Sequence, residues 1–499
     1  MALLAFDLRT TATLAWSKLR NAVASLGKTS GAAALPEEDW AKILQSTRSH
    51  KSLLKHPRML KLRLTAARAT FNDAVMVEVA DLAVQAKLVP SMRTRIAMDL
   101  AATRKHLDAW RVISADPSCF ELPNFLRTGR VILSGIKDPK IRREISAVLD
   151  RLTKDGGSVR AKPSAFQFGR SDALSPPRGT VELVGSPAVD PRHVARFQAE
   201  YERFVEDIQT LAPPRIEEYE NLFTDRYGQK WTQSGGIVET VGRPIPVPPT
   251  EDVPHVEVGI DLLRGTKGFY HWYVDVLPKL AWLLNTDIAR PKILMSGHAP
   301  KFEMQTLELL GFGESDVVRV TESAFVERLV CPRIGFDGLA DWALASRLYD
   351  TVVDSAKRQS KVKLAEKIYI SRRDAAGRKM VNELELERRL AAKGFHICIL
   401  SELSVADQIA LTHGAKVIVA PHGAGLSHIM HARPATTIVE ILPIRDGSYR
   451  LRFNYARLCV VRGLRYFGWV EPQSYTVAEW AIAVEPFMAH LDRVLAKVS

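Results

Sequence analysis

From residue 36 to 153, apolar side chains recur three or four positions apart. Val77-Glu-Val-Ala-Asp-Leu-Ala-Val and Ile96-Ala-Met-Asp-Leu-Ala-Ala show this spacing, which predicts amphipathic helices. Pro36-Glu-Glu-Asp-Trp reads as a helix start with acids in its first turn. Breaks at Val89-Pro-Ser, Asp116-Pro-Ser and Asp138-Pro divide the stretch into helices that can stack as antiparallel pairs. No self-similarity accompanies them, so no named repeat family is implied. Before this stretch, one short amphipathic helix and a linker at Gly27-Lys-Thr-Ser-Gly-Ala-Ala-Ala are expected.

Lys154-Asp-Gly-Gly-Ser, Leu174-Ser-Pro-Pro-Arg-Gly and Gly185-Ser-Pro are turn signals, and 154–192 reads as a linker. Beyond it the period shortens. Tyr219 to Thr232 predicts strand, turn and strand, with Asp225 to Gly228 in the turn. Strands at Val256, Lys292 and Val317 alternate with helices over about 270–284 and 300–310, which predicts a mainly parallel sheet. A second alternation begins at Lys367-Ile-Tyr-Ile-Ser. It continues through helix 383–393, strand His396-Ile-Cys-Ile-Leu, helix 405–412, strand Lys416-Val-Ile-Val-Ala, a glycine turn and strand Thr437-Ile-Val-Glu-Ile. The expected architecture is an all-α region over 1–153, the linker, and two Rossmann-type α/β lobes over 193–350 and 351–499, the last helices crossing back. Ligands of such sheets bind at the carboxyl ends of the strands.

Composition narrows this picture in two ways. Cys119, Cys331, Cys398 and Cys459 are far apart with no C-x-x-C spacing, so neither a disulfide framework nor a zinc ribbon is expected, and a reducing cytoplasmic setting is. The opening Met1-Ala-Leu-Leu-Ala-Phe-Asp is too short an apolar run for a signal segment, and no later stretch has membrane-span length. Of the net charge of +13, residues 1–160 hold 27 Lys+Arg against 15 Asp+Glu, so the excess lies in the N-terminal third. Such a surface suits an anionic membrane face, an acidic polysaccharide or a protein partner, or is simply a solvated basic face. No specific nucleic-acid element accompanies it.

Three stretches carry candidate chemistry. In Val417-Ile-Val-Ala-Pro-His-Gly-Ala-Gly-Leu a buried strand enters a turn with two glycines and then a helix. There the N–H groups of Gly423, Ala424, Gly425 and Leu426 suit a diphosphate, and His422 could donate beside them. In Tyr369-Ile-Ser-Arg-Arg-Asp-Ala-Ala-Gly-Arg, a strand end presents Arg372, Arg373 and Arg378, whose forks match phosphate oxygens. In Phe269-Tyr-His-Trp-Tyr-Val-Asp, His271 and Asp275 share a helix face, and a His–carboxylate pair can accept a proton from a hydroxyl. The competing readings are a ligand-free turn, solvated loop charge and a core histidine. No Asp-x-Asp occurs, and no metal site is expected; His428 and His431 read as structural.

Taken together and in order, His271–Pro278, Tyr369–Glu383 and Pro421–Glu440 resemble the motifs of glycosyltransferase family 61, whose members include bacterial capsular-polysaccharide enzymes, plant xylan-decorating transferases and protein O-linked sugar transferases. The resemblance covers about 256–443. It implies a GT-B-like pair of Rossmann-type domains, with 193–350 on the acceptor side and 351–499 on the nucleotide-sugar donor side. It implies inverting, metal-independent transfer to a hydroxyl of a surface polysaccharide or glycolipid, with the nucleotide-sugar as co-substrate and no other cofactor. A bacterial, cytoplasmic enzyme, peripheral to the inner membrane face, would fit. On this resemblance Arg372, Arg378 and His422 contact the diphosphate, Gly423 and Gly425 line it, and Asn382 and Glu383 either support those residues from behind or lie on the nucleoside side of the donor. Glu440 closes the motif, and His271 with Asp275 is the candidate base. The family often has Gly where Ala435 stands and Thr-Asn where Ser427-His428 stands. The rivals are a non-catalytic scaffold with a degenerate transferase lobe and a dinucleotide-dependent oxidoreductase. The oxidoreductase lacks its third glycine, because His428 stands there.

Overall fold

The computed structural model describes residues 37–49, 53–122, 125–154, 162–163, 179–208, 215–241, 243, 245, 253–264, 268–285, 291–333, 342–375, 377, 379–445, 454–473 and 479–498. The readings made for residues 1–35 lie outside these.

Seven helices occupy the first region: α1 (Glu37–Ser49), α2 (Pro57–Ala69), α3 (Asp73–Gln85), α4 (Pro90–Ala102), α5 (His106–Ser114), α6 (Phe125–Ser134) and α7 (Pro139–Lys154). Pro57, Pro90 and Pro139 sit where a missing N–H costs nothing, and the side chain of Asn72 caps Val75 N. Trp40, Leu60, Val79, Leu100, Trp110, Phe125 and Ile145 belong to one core of their own. Arg93 is buried, with both terminal guanidinium nitrogens hydrogen-bonded. It donates to the carbonyls of Ala83, Ala86 and Val112, and so ties α4 to the end of α3 and to α5.

The strands form two sheets. The first contains β1 (Lys162–Pro163), β3 (Arg215–Asp225), β4 (Lys230–Thr232), β5 (Ile237–Glu239), β6 (His255–Asp261), β7 (Lys292–Ser296), β8 (Val317–Val320) and β9 (Ser323–Arg333), in the order β5-β4-β3-β9-β6-β7-β8 with β1 beside β3. Only half of it matches the parallel expectation. β9-β6-β7-β8 are parallel, whereas β3 is antiparallel to β9, β4 and β1. The cause is local. Asp225 accepts from Tyr227 N and Gln229 N, Gly228 takes φ +80°, and this tight turn permits only an antiparallel partner.

The second sheet is parallel throughout, in the order β11-β10-β12-β13-β14-β2. Its strands are β10 (Lys367–Ile370), β11 (His396–Cys398), β12 (Val417–Pro421), β13 (Thr437–Arg445), β14 (Arg465–Gln473) and β2 (Thr180–Gly185). The last of these corrects the linker expected over 154–192. Thr180-Val-Glu-Leu-Val is a true strand, paired from Thr180↔Arg465 to Gly185↔Val470. Gly468 makes the fit possible, since a Cβ there would lie 2.4 Å from a Leu183 methyl. Helix α8 (Pro191–Ile208), read as the start of the first lobe, packs on β2.

Between the sheets runs α9 (Phe269–His271), continuing as a π-turn over Trp272–Val276 and a 3-10 segment over Leu277–Asn285. Beyond it lie α10 (Lys301–Leu309), α11 (Trp342–Gln359), α12 (Glu383–Ala392), α13 (Val405–Gly414), α14 (Asn454–Arg462) and α15 (Val484–Val498). The lobe boundary expected at 350 falls inside α11, which packs against both the 277–285 segment and α13. α15 does not cross back. Phe487, Leu491 and Val494 share a core with Trp469 of β14. Trp272 and Leu280 of the first half share one core with Ile368, Ile418 and Ile438 of the second. No helix among the described residues is long and apolar enough to cross a membrane.

Candidate functional site

The carboxyl ends of β10 and β12 meet at one point. A Cβ on Gly423 would lie 1.5 Å from a guanidinium nitrogen of Arg372, so the arginine lies directly against the glycine. Only hydrogen at position 423 allows this approach. Behind Arg372, Glu383 is buried and accepts from Arg372 N at 2.7 Å and from the Tyr369 hydroxyl at 2.9 Å. Burial pushes the Glu383 carboxyl above its ordinary range.

His422 follows the end of β12. Its Nδ1 lies 2.5 Å from Oε1 of Glu440, and the Tyr466 hydroxyl donates to Oε2 at 2.6 Å. The pair is sealed, with side-chain exposures of 6% for His422 and 0% for Glu440. Glu440, placed on the donor by sequence, instead positions the imidazole that would face it.

His271, at the end of α9, meets Asp275 with Nδ1···Oδ2 of 2.6 Å, and these side chains are 46% and 36% exposed. The π-turn carrying Asp275 widens the helix locally, a device frequent at functional sites. Three ring contacts join the two histidines. His271 meets Tyr270 at 5.5 Å, Tyr270 meets Tyr455 of α14 at 5.7 Å, and Tyr455 meets His422 at 5.3 Å. Tyr455 and Tyr466 follow the last motif, and no pattern around them marks either. One is a single aromatic in an ordinary helical pattern, the other an ordinary core position of a strand.

Several expected donor contacts are instead internal. The Leu426 N–H donates to Gly423 O at 3.0 Å, since the turn enters a 3-10 helix over Ala424–His431 and not an α-helix. A Cβ on Gly425 would press on Leu400 at 3.0 Å and Ile370 at 3.2 Å, so this glycine serves packing within the lobe. Ala424 is exposed at the turn. Arg373 pairs with Glu387 at 3.1 Å. Asn382 is bonded in both directions to the backbone of Ile482. Arg378 lies outside the described residues.

His428 and His431 pack into the seam between the lobes. His428 contacts the rings of Phe269 and Tyr273, and His431 those of Tyr273 and Tyr349. Burial lowers His428 to about 3 and His431 well below its usual value, so both are neutral. Ala435 takes φ 65°, a left-handed geometry that explains why glycine is suited to this position. No group of three or more His, Cys, Asp or Glu arranged to hold a metal occurs among the described residues.

Residues 269–439 match the sequence model of the family Glycosyltransferase 61. The chain is 46% identical over 68 residues to a β-1,2-xylosyltransferase of Arabidopsis thaliana, covering 14% of this chain and 12% of that one. It is 29% identical over 113 residues to an EGF domain-specific O-linked N-acetylglucosamine transferase of Rattus norvegicus, covering 22% and 20% of the two chains. The protein of that name from Bos taurus is 30% identical over 108 residues, covering 21% and 20%. The chain thus spans between 12% and 20% of the length of these relatives.

Proposed function

Residues 269–439 are a glycosyltransferase 61 domain, and from that premise we propose that the chain is an inverting, metal-independent glycosyltransferase with a GT-B-like pairing of its two α/β halves. The observation that carries this reading is Arg372 lying on Gly423 beside His422. The arrangement gathers a fixed cation and an imidazole at the carboxyl ends of two parallel strands. The donor is a nucleotide-sugar whose diphosphate meets Arg372 and His422, with Arg378 as a further cation. The acceptor is a hydroxyl of a glycan. The relatives, a xylosyltransferase and an O-linked N-acetylglucosamine transferase, support a pentose or an N-acetylhexosamine as the sugar.

In this mechanism the acceptor oxygen attacks C1 of the sugar, on the face opposite the diphosphate. The bond from C1 to the phosphate oxygen breaks as the new C1–O bond forms. The acceptor proton passes to Nε2 of His271, whose Nδ1 is held by Asp275. The departing diphosphate takes the released charge, which Arg372 and His422 balance. The basic helical region docks an anionic glycan or membrane face in a salt-sensitive manner.

Calorimetry with nucleoside diphosphates in EDTA tests the core of the proposal. At least one should bind, and a panel of nucleotide-sugars should then reveal turnover. Binding that requires manganese would reject metal independence. Binding without any turnover would favour the scaffold.

A further inference from the structure

We propose that His422 is carried as an imidazolium, and that Glu440 and Tyr466 are the positioning residues that hold it so. The assignment of the proton stands on its own geometry. Only its consequence for anion binding rests on the function proposed above.

Glu440 has no exposed surface, and both its oxygens are engaged, one by His422 Nδ1 at 2.5 Å and the other by the Tyr466 hydroxyl at 2.6 Å. A buried ionised carboxylate is stabilised most by a cation in contact. The groups facing the pair come from three elements. Tyr466 of β14 is neutral, because burial and then Glu440 push its phenol well above its ordinary value. Cys459 of α14 is neutral as well, because burial, then Glu440, raise its thiol. Tyr455 of α14 presents its ring to the imidazole at 5.3 Å. Arg372, after β10, lies against the neighbouring Gly423, where a second positive charge serves a ligand and not Glu440. Of the two side chains hydrogen-bonded to Glu440, only the imidazole can become positive. The Tyr466 hydroxyl, a donor aimed at the second oxygen, further favours the ionised carboxylate. With Nδ1–H committed to Glu440, Nε2–H becomes a charged donor, the kind that binds phosphate oxygens most strongly. The turn then offers two cations, one permanent and one set by a buried acid.

The sign follows directly. Anion affinity due to His422 is present below the pKa of the held imidazolium and lost as pH rises through it. Glu440→Gln keeps the shape and an acceptor but removes the charge, so the loss moves to lower pH.

The test is NMR of the full chain with ring-labelled histidine, the His422 signal being assigned by its disappearance in His422→Asn. An imidazolium signal at pH 7.5 in the natural protein, and a neutral ring in Glu440→Gln, are expected. Inorganic pyrophosphate, followed by calorimetry from pH 6 to 9, should bind about tenfold more weakly to Glu440→Gln at pH 7.5. Its affinity should fall away at lower pH, and Tyr466→Phe should lie between. A neutral His422 ring in the natural protein overturns the proposal. So do superimposable pH profiles for the natural protein and Glu440→Gln. An imidazolium that binds no pyrophosphate at any pH upholds the proton assignment and rejects the anion-site reading.

Discussion

Two of the histidine–carboxylate pairs among the described residues have almost the same length and lie in opposite surroundings. His271–Asp275 spans 2.6 Å on an exposed helix face, and His422–Glu440 spans 2.5 Å in a sealed core. The contact is the same and the physics is not. In water, an ion pair at i, i+4 contributes little to stability, and its imidazole exchanges protons freely with solvent. That is what a base needs, since it must take a proton and release it each turn. In the core, the same contact is protected from screening, and losing one partner strands the other. That suits a fixed charge. Burial, and not the identity of the pair, divides the two roles.

Each half of this contrast can be broken. His271→Ala should lower turnover by roughly 10²–10⁴-fold while leaving nucleoside diphosphate affinity near that of the natural protein. Steady-state kinetics beside calorimetry would show it, and near-normal turnover would move the base elsewhere. Glu440→Leu should destabilise the chain by roughly 3–5 kcal/mol, read from the denaturant midpoint at constant slope. A loss below about 1 kcal/mol would mean that the sealed pair carries no charge. Arg372→Ala should weaken nucleoside diphosphate binding by roughly 1.5–3 kcal/mol, about ten- to a hundredfold, with little change in stability. Unchanged affinity would remove the strand-end cation from the site. Smallest of all, Asp275→Ala should cost only about 0.5 kcal/mol of stability or less, although turnover falls. A stability loss matching that of Glu440→Leu would erase the distinction between the pairs.

Much of this was legible in the chain. The second alternation of strands and helices matches within a residue or two, because its buried strands are short β-branched runs bounded by turn residues, except that the strand at Thr437 runs on to Arg445. The proximity of Tyr369–Glu383 to Pro421–Glu440 followed from that alternation, since parallel neighbours bring their carboxyl ends together. What could not be read was direction. Gly425 and Gly423 look alike in sequence, yet one faces Leu400 and the other faces Arg372. Asn382 and Glu383 look equally polar and available, yet both are consumed within their own lobe. The antiparallel half of the first sheet escaped because β9 pairs with a strand far earlier in the chain, and no local period records that. Strand β2 escaped because its flanking prolines and glycines resemble those of a linker.

That strand has a consequence for how the chain can be made and cut. Thr180 finds its partner only at Arg465, so the edge of the second sheet waits for almost the entire polypeptide to emerge before it closes. Such distant pairing is slow, because loop closure precedes any gain from contact. Until then β2 has no strand to pair with, and an open edge, on β2 or on a β14 that lacks it, is a template for other chains. A fragment starting after residue 185 would carry that exposure permanently. The shortest separable catalytic unit therefore begins before Gly179, and the helical region can be removed cleanly only upstream of it.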